Sequence, residues 1–335
     1  MRSAGSEPGP CAVAPLSAPH RRIAPGERVR WPARARILAV ALSMGATLAA
    51  AAGLPAQSAG GAAQPGMKAG DVVLITGSTS GLGRELARRI AATGAHVIVH
   101  GRDADRGEEV VAEITSAGVG SARFIRADLA SLAEVRELAE TVLRDYDRLD
   151  LLINNAGIGS RVPAERSLSA DGHELRFAVN YLSHFLLTHL LLERIEASAP
   201  ARIINVSSLA QTPIDFDDVM IENNYSGSRA YGQSKLSQIM FTIDLAAALE
   251  GTGITTYSLH PATYMDTNMV RSGGITPRTT VDEGVEAVMH LVMATDLESG
   301  MFFNGQQPGR ANGQAYDASA RSRLRELSHR LTGIR

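Results

Sequence analysis

The chain has 335 residues and a net charge of −2; 44% of it is hydrophobic, 20% charged and 4% aromatic. This is enough chain for one large core or two smaller ones, and too few aromatic residues for the stacking platform of a nucleic-acid groove. The single cysteine, Cys11, excludes an intrachain disulfide and a Cys-rich metal site.

Residues 1–66 carry seven arginines against Glu7 and Glu27, about +5, which leaves a body of about −7 with no nucleic-acid signature. Arg34 and Arg36 precede an apolar run, Ile37 to Leu54, and small residues follow around Ala56-Gln57-Ser58. That layout is signal-like, so export or membrane anchoring is the favoured reading, with any membrane contact confined to this segment. The alternative is an unstructured leader from a mis-assigned start, on a cytoplasmic protein.

From Asp71 onward short apolar runs alternate with helical periodicity. "DVVLIT" is followed by the helix "GRELARRIAATG", "AHVIVH" by "ADRGEEVVAEITSAG", and "ARFIRAD" by "LAEVRELAETVLRDY". "LDLLINN" then leads to a long helix over 171–197, and "ARIINVS" to a helix over 228–250. "GITTYSLH" precedes a helix over 281–295; a "SGMFF" strand and a closing "LRELSHRLTG" helix complete the pattern. Apolar strands alternating with helices predict an α/β fold: one doubly wound domain over 67–335 with a seven-stranded parallel sheet.

The first strand runs into "TGSTSGLGREL", where Gly77, Gly81 and Gly83 stand between strand and helix. In that context glycines let backbone N–H groups approach a pyrophosphate at the positive end of the helix. The spacing is GxxxGxG rather than GxGxxG, and a tight turn is the plain alternative. The second strand ends in Gly101-Arg102, where an acidic residue would select NAD; a guanidinium there suits a 2′-phosphate. NADP is therefore expected, with NAD possible, and Asp103 is expected to open the next helix.

"YGQSK" places Tyr231 and Lys235 one helical turn apart on one face. The pair could simply decorate a helix surface, or an ammonium beside the phenol could lower its pKa and make it an acid or base near neutrality. With "TGSTSGLG", "NNAG" and "YGQSK" in this order, the body resembles the short-chain dehydrogenase/reductase family, a Rossmann-type fold. It is most similar to the branch of the retinol dehydrogenases and the WW-domain oxidoreductase, through "FAVNYLSHFLLTHLL", "ARIINVSSLA", "YGQSKLSQIMF" and "GTGITTYSLHPA".

The resemblance implies that Tyr231 is the catalytic acid/base and that Lys235 lowers its pKa and binds the nicotinamide ribose. It makes Ser208 the residue that polarises the substrate oxygen, and Asn180 the holder of a relay water. It assigns the cofactor to Gly77, Ser78, Ser80, Gly81, Leu82, Gly83, Arg102, Asp128, Leu129, Asn154, Ala156, Gly157, Tyr231, Lys235, Pro261 and Thr267. Plainer roles stay open: Ser208 as a strand-end cap, Asn180 bonding a local carbonyl, Asp128 capping a helix. No metal is expected, because the nine histidines show no ligand spacing.

Ser208 and Tyr231 stand 23 positions apart, and the stretch "QTPIDFDDVMIENNYSGSR" between them is expected to wall the substrate cleft. The loop after Pro261-Ala262 holds Tyr264, Met265, Met269 and Ile275, which suits either a lid over an apolar substrate or gap-filling over a core. The expected substrate is a small hydrophobic alcohol, aldehyde or ketone, with a homodimer possible. The alternatives are a C=C reductase resembling protochlorophyllide reductase and a non-catalytic dinucleotide-sensing protein.

Overall fold

The computed structural model describes residues 66–334, so the expected leader lies outside the described residues except for Gly66. The first strand, β1 (Val72–Ile75), is apolar and buried at every position, as a central parallel strand covered on both faces has to be. The loop after it opens α1 (Gly81–Ala91), which is followed by β2 (His96–Gly101), α2 (Ala104–Ala117), β3 (Ser121–Arg126), α3 (Leu132–Asp145) and β4 (Leu151–Asn154). Asp103 caps α2, as expected, by accepting the Arg106 N–H.

The second half contains α4 (Ser183–Ala197), β5 (Ala201–Val206), α5 (Gly227–Ala248), β6 (Ile254–His260), the short α6 (Asn268–Ser272), α7 (Val281–Met293), β7 (Phe302–Asn304), β8 (Gln307–Gly309) and α8 (Ala318–Thr332). The sheet order is β3-β2-β1-β4-β5-β6-β7-β8. Chain order reverses between β1 and β4, and that switch point leaves a crevice at the carboxyl ends of these two strands.

Two expectations need correction. The sheet has eight strands, seven of them parallel as expected, and β8 pairs antiparallel to β7. Its sequence, Gln-Pro-Gly, carries no apolar pattern, and Pro308 is tolerated because the strand lies at an edge. The long helix expected over 171–197 begins at Leu175 and is interrupted by a π-helical turn, Phe177–Leu182, before α4. Such a turn re-aims side chains without ending the helix.

One apolar core joins α1, α2 and α7 to one sheet face, with Leu86, Ile90, Val288, Leu291 and Phe303 fully buried. α3, α4 and α5 cover the other face, and α8 packs on α5. Arg202, a charged residue in a buried strand, crosses the sheet to donate to the carbonyls of Leu291, Val292 and Ala294. It thereby closes the C-terminal end of α7, whose dipole favours a cation there.

Gly83, in the first turn of α1, packs directly on the loop before it: a Cβ there would lie 2.2 Å from the Gly77 oxygen and 2.6 Å from Asn155 Nδ2. In an open helix Gly→Ala stabilises by about 1 kcal/mol. Here the contact with fixed backbone reverses the sign, and Gly83→Ala is expected to cost about 1–3 kcal/mol in urea unfolding. A variant as stable as the unmodified protein would show that α1 does not sit this close to the loop.

Candidate active site

The loop after β1 and the turn after β4 form the two borders of a cleft of about 280 Å³. Gly77, Ser80, Gly81, Leu82 and Gly83 line one border, and Asn155, Ala156, Gly157 and Ile158 the other; Arg102, Asp128, Leu129 and Thr267 extend the wall. Gly77 has φ +64°, and a Cβ there would lie 2.8 Å from Ala156 Cα, so only glycine lets the two borders meet. Ser80 at the start of α1 makes no side-chain cap bond, and no acidic residue occupies the first turn. A helix end left in this state favours an anionic group.

Buried polar side chains hold the borders. Thr76 Oγ1 accepts the N–H groups of Asn155 (2.9 Å) and Ala156 (3.0 Å), while Asn155 Nδ2 donates to the oxygens of Thr76 and Gly77. His184 Nδ1 faces the Asn180 carbonyl at 3.0 Å, and a carbonyl only accepts, so that nitrogen carries the proton. Its Nε2 then accepts from the Thr76 hydroxyl, also at 3.0 Å. His100 Nδ1 accepts the Gly77 N–H at 3.1 Å, which fixes the other tautomer. Burial lowers His184 to about 3 and His100 to about 4, so both are neutral supports.

Beyond the lining of the cleft, Ser208 follows β5, and Tyr231 and Lys235 lie in the first turns of α5. The Ser207 hydroxyl donates to the Lys235 carbonyl at 2.7 Å and pins helix to strand. Lys235 Nζ donates to Val206 O and Gln238 Oε1, both at 2.9 Å, and lies 5.7 Å from the centre of the Tyr231 ring. The π-helical turn carries Asn180, whose Oδ1 accepts the Ile158 N–H at 2.8 Å and whose Nδ2 donates to Ser234 Oγ at 3.0 Å and Ile158 O at 3.2 Å. A Cβ at Gly157 would lie 3.2 Å from Asn180 Oδ1 and 3.6 Å from Lys235 Nζ. The amide and the ammonium therefore both lie beside Gly157, which borders the cleft.

Burial lowers the Lys235 ammonium from 10.5 to about 7. Burial raises the Tyr231 phenol, and a hydrogen bond from Ser208 partly reverses this. The expected acidic phenol is thus not found. Desolvation is the larger cause, and the cation spends its hydrogen bonds on Val206 and Gln238 rather than on the phenol.

Three residues assigned to the cofactor face elsewhere. Ser78 is fully buried, donates to Ile75 O and accepts from His100 N; its neighbour Thr79 lines the cleft instead. Asn154 turns into the core toward Thr188 and Asn205, and Asn155 takes its expected place. Pro261 lines a separate shallow cleft with Thr263, Thr279 and Asn304. Asp128 accepts from Ala130 N and lies 3.7 Å from Arg102, while Ser131 caps α3.

The stretch between Ser208 and Tyr231 is anchored at several points. Gln314 Oε1 accepts from Ile214 N and its Nε2 donates to Ile214 O, while Gln211 Oε1 accepts from Asn312 N. The fully buried Arg176 donates to the carbonyls of Gly159, Ser160 and Pro163 and to the Tyr225 hydroxyl, tying this stretch to the loop after β4. In the loop after β6, Met265 packs on the core, while Met269 lines the cleft beside Gly159. His100, His184, Asn155 and Arg176 were missed from the sequence; Asn155 lay within the "NNAG" motif, and Arg176 stood out as an arginine beside an apolar helical run.

The short chain dehydrogenase family matches residues 71–276. Human retinol dehydrogenase 12 is 39% identical over 79% of this chain and 87% of its own length. Retinol dehydrogenase 13 of Mus musculus is 36% identical over 79% and 84%. Among solved structures, a short chain dehydrogenase from Burkholderia cenocepacia in complex with NADP is 26% identical, covers 74% of this chain and 99% of its own, and superposes with a TM-score of 0.58. The Pseudomonas aeruginosa RhlG/NADP active-site complex is 27% identical over 70% and 94%, with a TM-score of 0.57. A family match that takes in the glycine loop, Asn180, Ser208, Tyr231 and Lys235 leaves one conclusion: the chain belongs to the short-chain dehydrogenase family.

Proposed function

We propose that this chain interconverts a hydrophobic alcohol and its aldehyde or ketone with NADP, using Tyr231 as acid and base. The observation that carries the reading is the convergence of Ser208, Tyr231, Lys235 and Asn180 beside the glycine-lined cleft. Similar solved structures that hold NADP support the choice of cofactor.

The residues present fit a dinucleotide phosphate. The uncapped start of α1 and the bare glycine backbone suit the pyrophosphate. The Arg102 guanidinium, 68% exposed, stands on the rim directly after Gly101, 3.7 Å from the Asp128 carboxylate, and its exposure leaves it able to turn toward a 2′-phosphate. When bound, the nicotinamide supplies or accepts the hydride.

The chain's own groups handle the proton. A substrate oxygen between Ser208 Oγ and the Tyr231 hydroxyl receives a hydrogen bond from each. A phenol holds its proton at neutral pH and burial favours that form further, so Tyr231 starts with a proton to give to a carbonyl oxygen, the reductive direction. Ser208 and the nearby Lys235 ammonium then steady the phenolate that remains. In oxidation the phenolate takes the proton back. Exposed Leu209, Tyr264 and Met269 give the region an apolar surface, in keeping with a hydrophobic substrate.

Tyr231→Phe is expected to lower NADPH-linked reduction of a panel of medium-chain aldehydes by about 100-fold or more, with NADPH binding unchanged; surviving turnover would remove Tyr231 from the proton step. Arg102→Asp is expected to move the NADP/NAD preference by about tenfold or more toward NAD, read from kcat/KM for each. An unmodified protein that already prefers NAD would sink this assignment. Lys235 also makes stability pH-dependent. Between about pH 7 and 10.5 the unfolded chain keeps a proton that the folded chain has released, so stability climbs with pH through that window. Urea unfolding at several pH values is expected to show this climb in the unmodified protein and its loss in Lys235→Met; parallel curves would mean that Lys235 is not desolvated.

A further inference from the structure

Lys235, Gln238 and Thr242 follow one another at spacings of three and four along α5, forming one stripe against the sheet. Lys235 Nζ gives two of its three N–H groups to Val206 O and Gln238 Oε1, each at 2.9 Å. An ammonium only donates, so the amide has one permitted orientation: Oε1 toward the lysine and Nε2 away from it. That Nε2 is buried and has no hydrogen-bond partner among the described residues.

Beneath this stripe lies a polar layer in the sheet. Asn154 is in register with Asn205, and Asn205 with Ser258, so the three stand side by side on β4, β5 and β6. Asn154 Nδ2 donates to Asn205 Oδ1, Asn205 Nδ2 to Thr242 Oγ1, and the Thr242 hydroxyl to the Gln238 carbonyl. Asn154 Oδ1 and Ser258 Oγ are also buried without a partner among the described residues. A buried donor left unmade lowers stability, and an apolar side chain of equal length would remove that cost. What the amide at 238 does for the protein is the bond it makes with Lys235.

We propose that Gln238 is a positioning residue, a neutral acceptor that holds the Lys235 ammonium upright and sets its proton affinity, leaving the third N–H for the cleft. The proposal deepens the functional reading above and rests on the role given there to Lys235. The groups facing the ammonium are Tyr231 from α5, His184 from α4 and His260 from β6. Burial keeps both histidines neutral, lowering them to about 3 and about 4. Burial alone accounts for the lowered lysine, with no carboxylate acting on it. The dipoles of Val206 and Gln238 therefore support the charge without cancelling it.

The chain has two lysines, Lys68 and Lys235, so carbon-13 lysine labelling gives two side-chain signals, assigned by Lys235→Met. In the full-length protein the Lys235 titration midpoint is expected to fall by about one pH unit in Gln238→Met and to rise by about one in Gln238→Glu. Gln238→Met is also expected to unfold at the same or higher urea concentration, a combination that a purely structural glutamine would not give. The alkaline limb of kcat is expected to follow the midpoint. One midpoint shared by all three proteins overturns the proposal. The titration needs no turnover, so a failure of the oxidoreductase reading and a failure of this inference are seen separately.

Discussion

An ammonium placed inside a protein loses most of its hydration, and the surroundings of Lys235 replace it with dipoles rather than with a counter-charge. The Val206 carbonyl at the end of β5 and the Gln238 amide one turn along α5 each accept from Nζ. A carboxylate in either place would bind the cation more strongly and mask its field from the cleft. Dipoles leave the field available, at the cost of a lysine whose charge is marginal at neutral pH. In the proposed mechanism the neighbouring site depends on that compromise, because burial disfavours the charged form of the phenol beside it.

Such a compromise needs a stiff frame. Ser207 holds α5 to β5 through the Lys235 carbonyl, and the π-helical turn points Asn180 at both Ile158 and Ser234. Thr76 gathers the turn after β4, His184 ties Thr76 to the Asn180 carbonyl, and His100 holds the first glycine. Farther out, Arg176 ties the loop after β4 to the stretch preceding α5. Most of these links join segments far apart in sequence through buried or half-buried hydrogen bonds, and a buried group is expensive to leave unpaired. The borders of the cleft thus keep their shape through bonds that never reach into it.

The parts that were legible in the sequence are those with local causes. Strand–helix alternation, the glycine spacing and the one-turn separation of Tyr231 and Lys235 follow from periodicities of two and 3.6 residues. Asp103 at the start of α2 follows from capping chemistry. Ser78 and Asn154 were misassigned because neighbouring side chains face opposite ways, in the turn after β1 for Ser78 and at the end of β4 for Asn154. Ser78 turns inward and Thr79 outward; Asn154 ends β4 facing the helices, and Asn155 faces the cleft. The three-residue β8 has neither length nor apolar pattern to announce it.

By itself the sequence determined the doubly wound class, the family and the position of the glycine loop, and it named the candidates for moving a proton, since spacing and side-chain chemistry act locally. Tertiary structure alone decided the protonation balance among them. Whether Tyr231 is more or less acidic than a free phenol depends on desolvation against hydrogen bonds from Ser208 and the field of Lys235, and those groups come from different strands and helices. It also decided that the Lys235 ammonium bonds Val206 and Gln238, because the direction of a flexible side chain is set by the acceptors that folding brings within its reach.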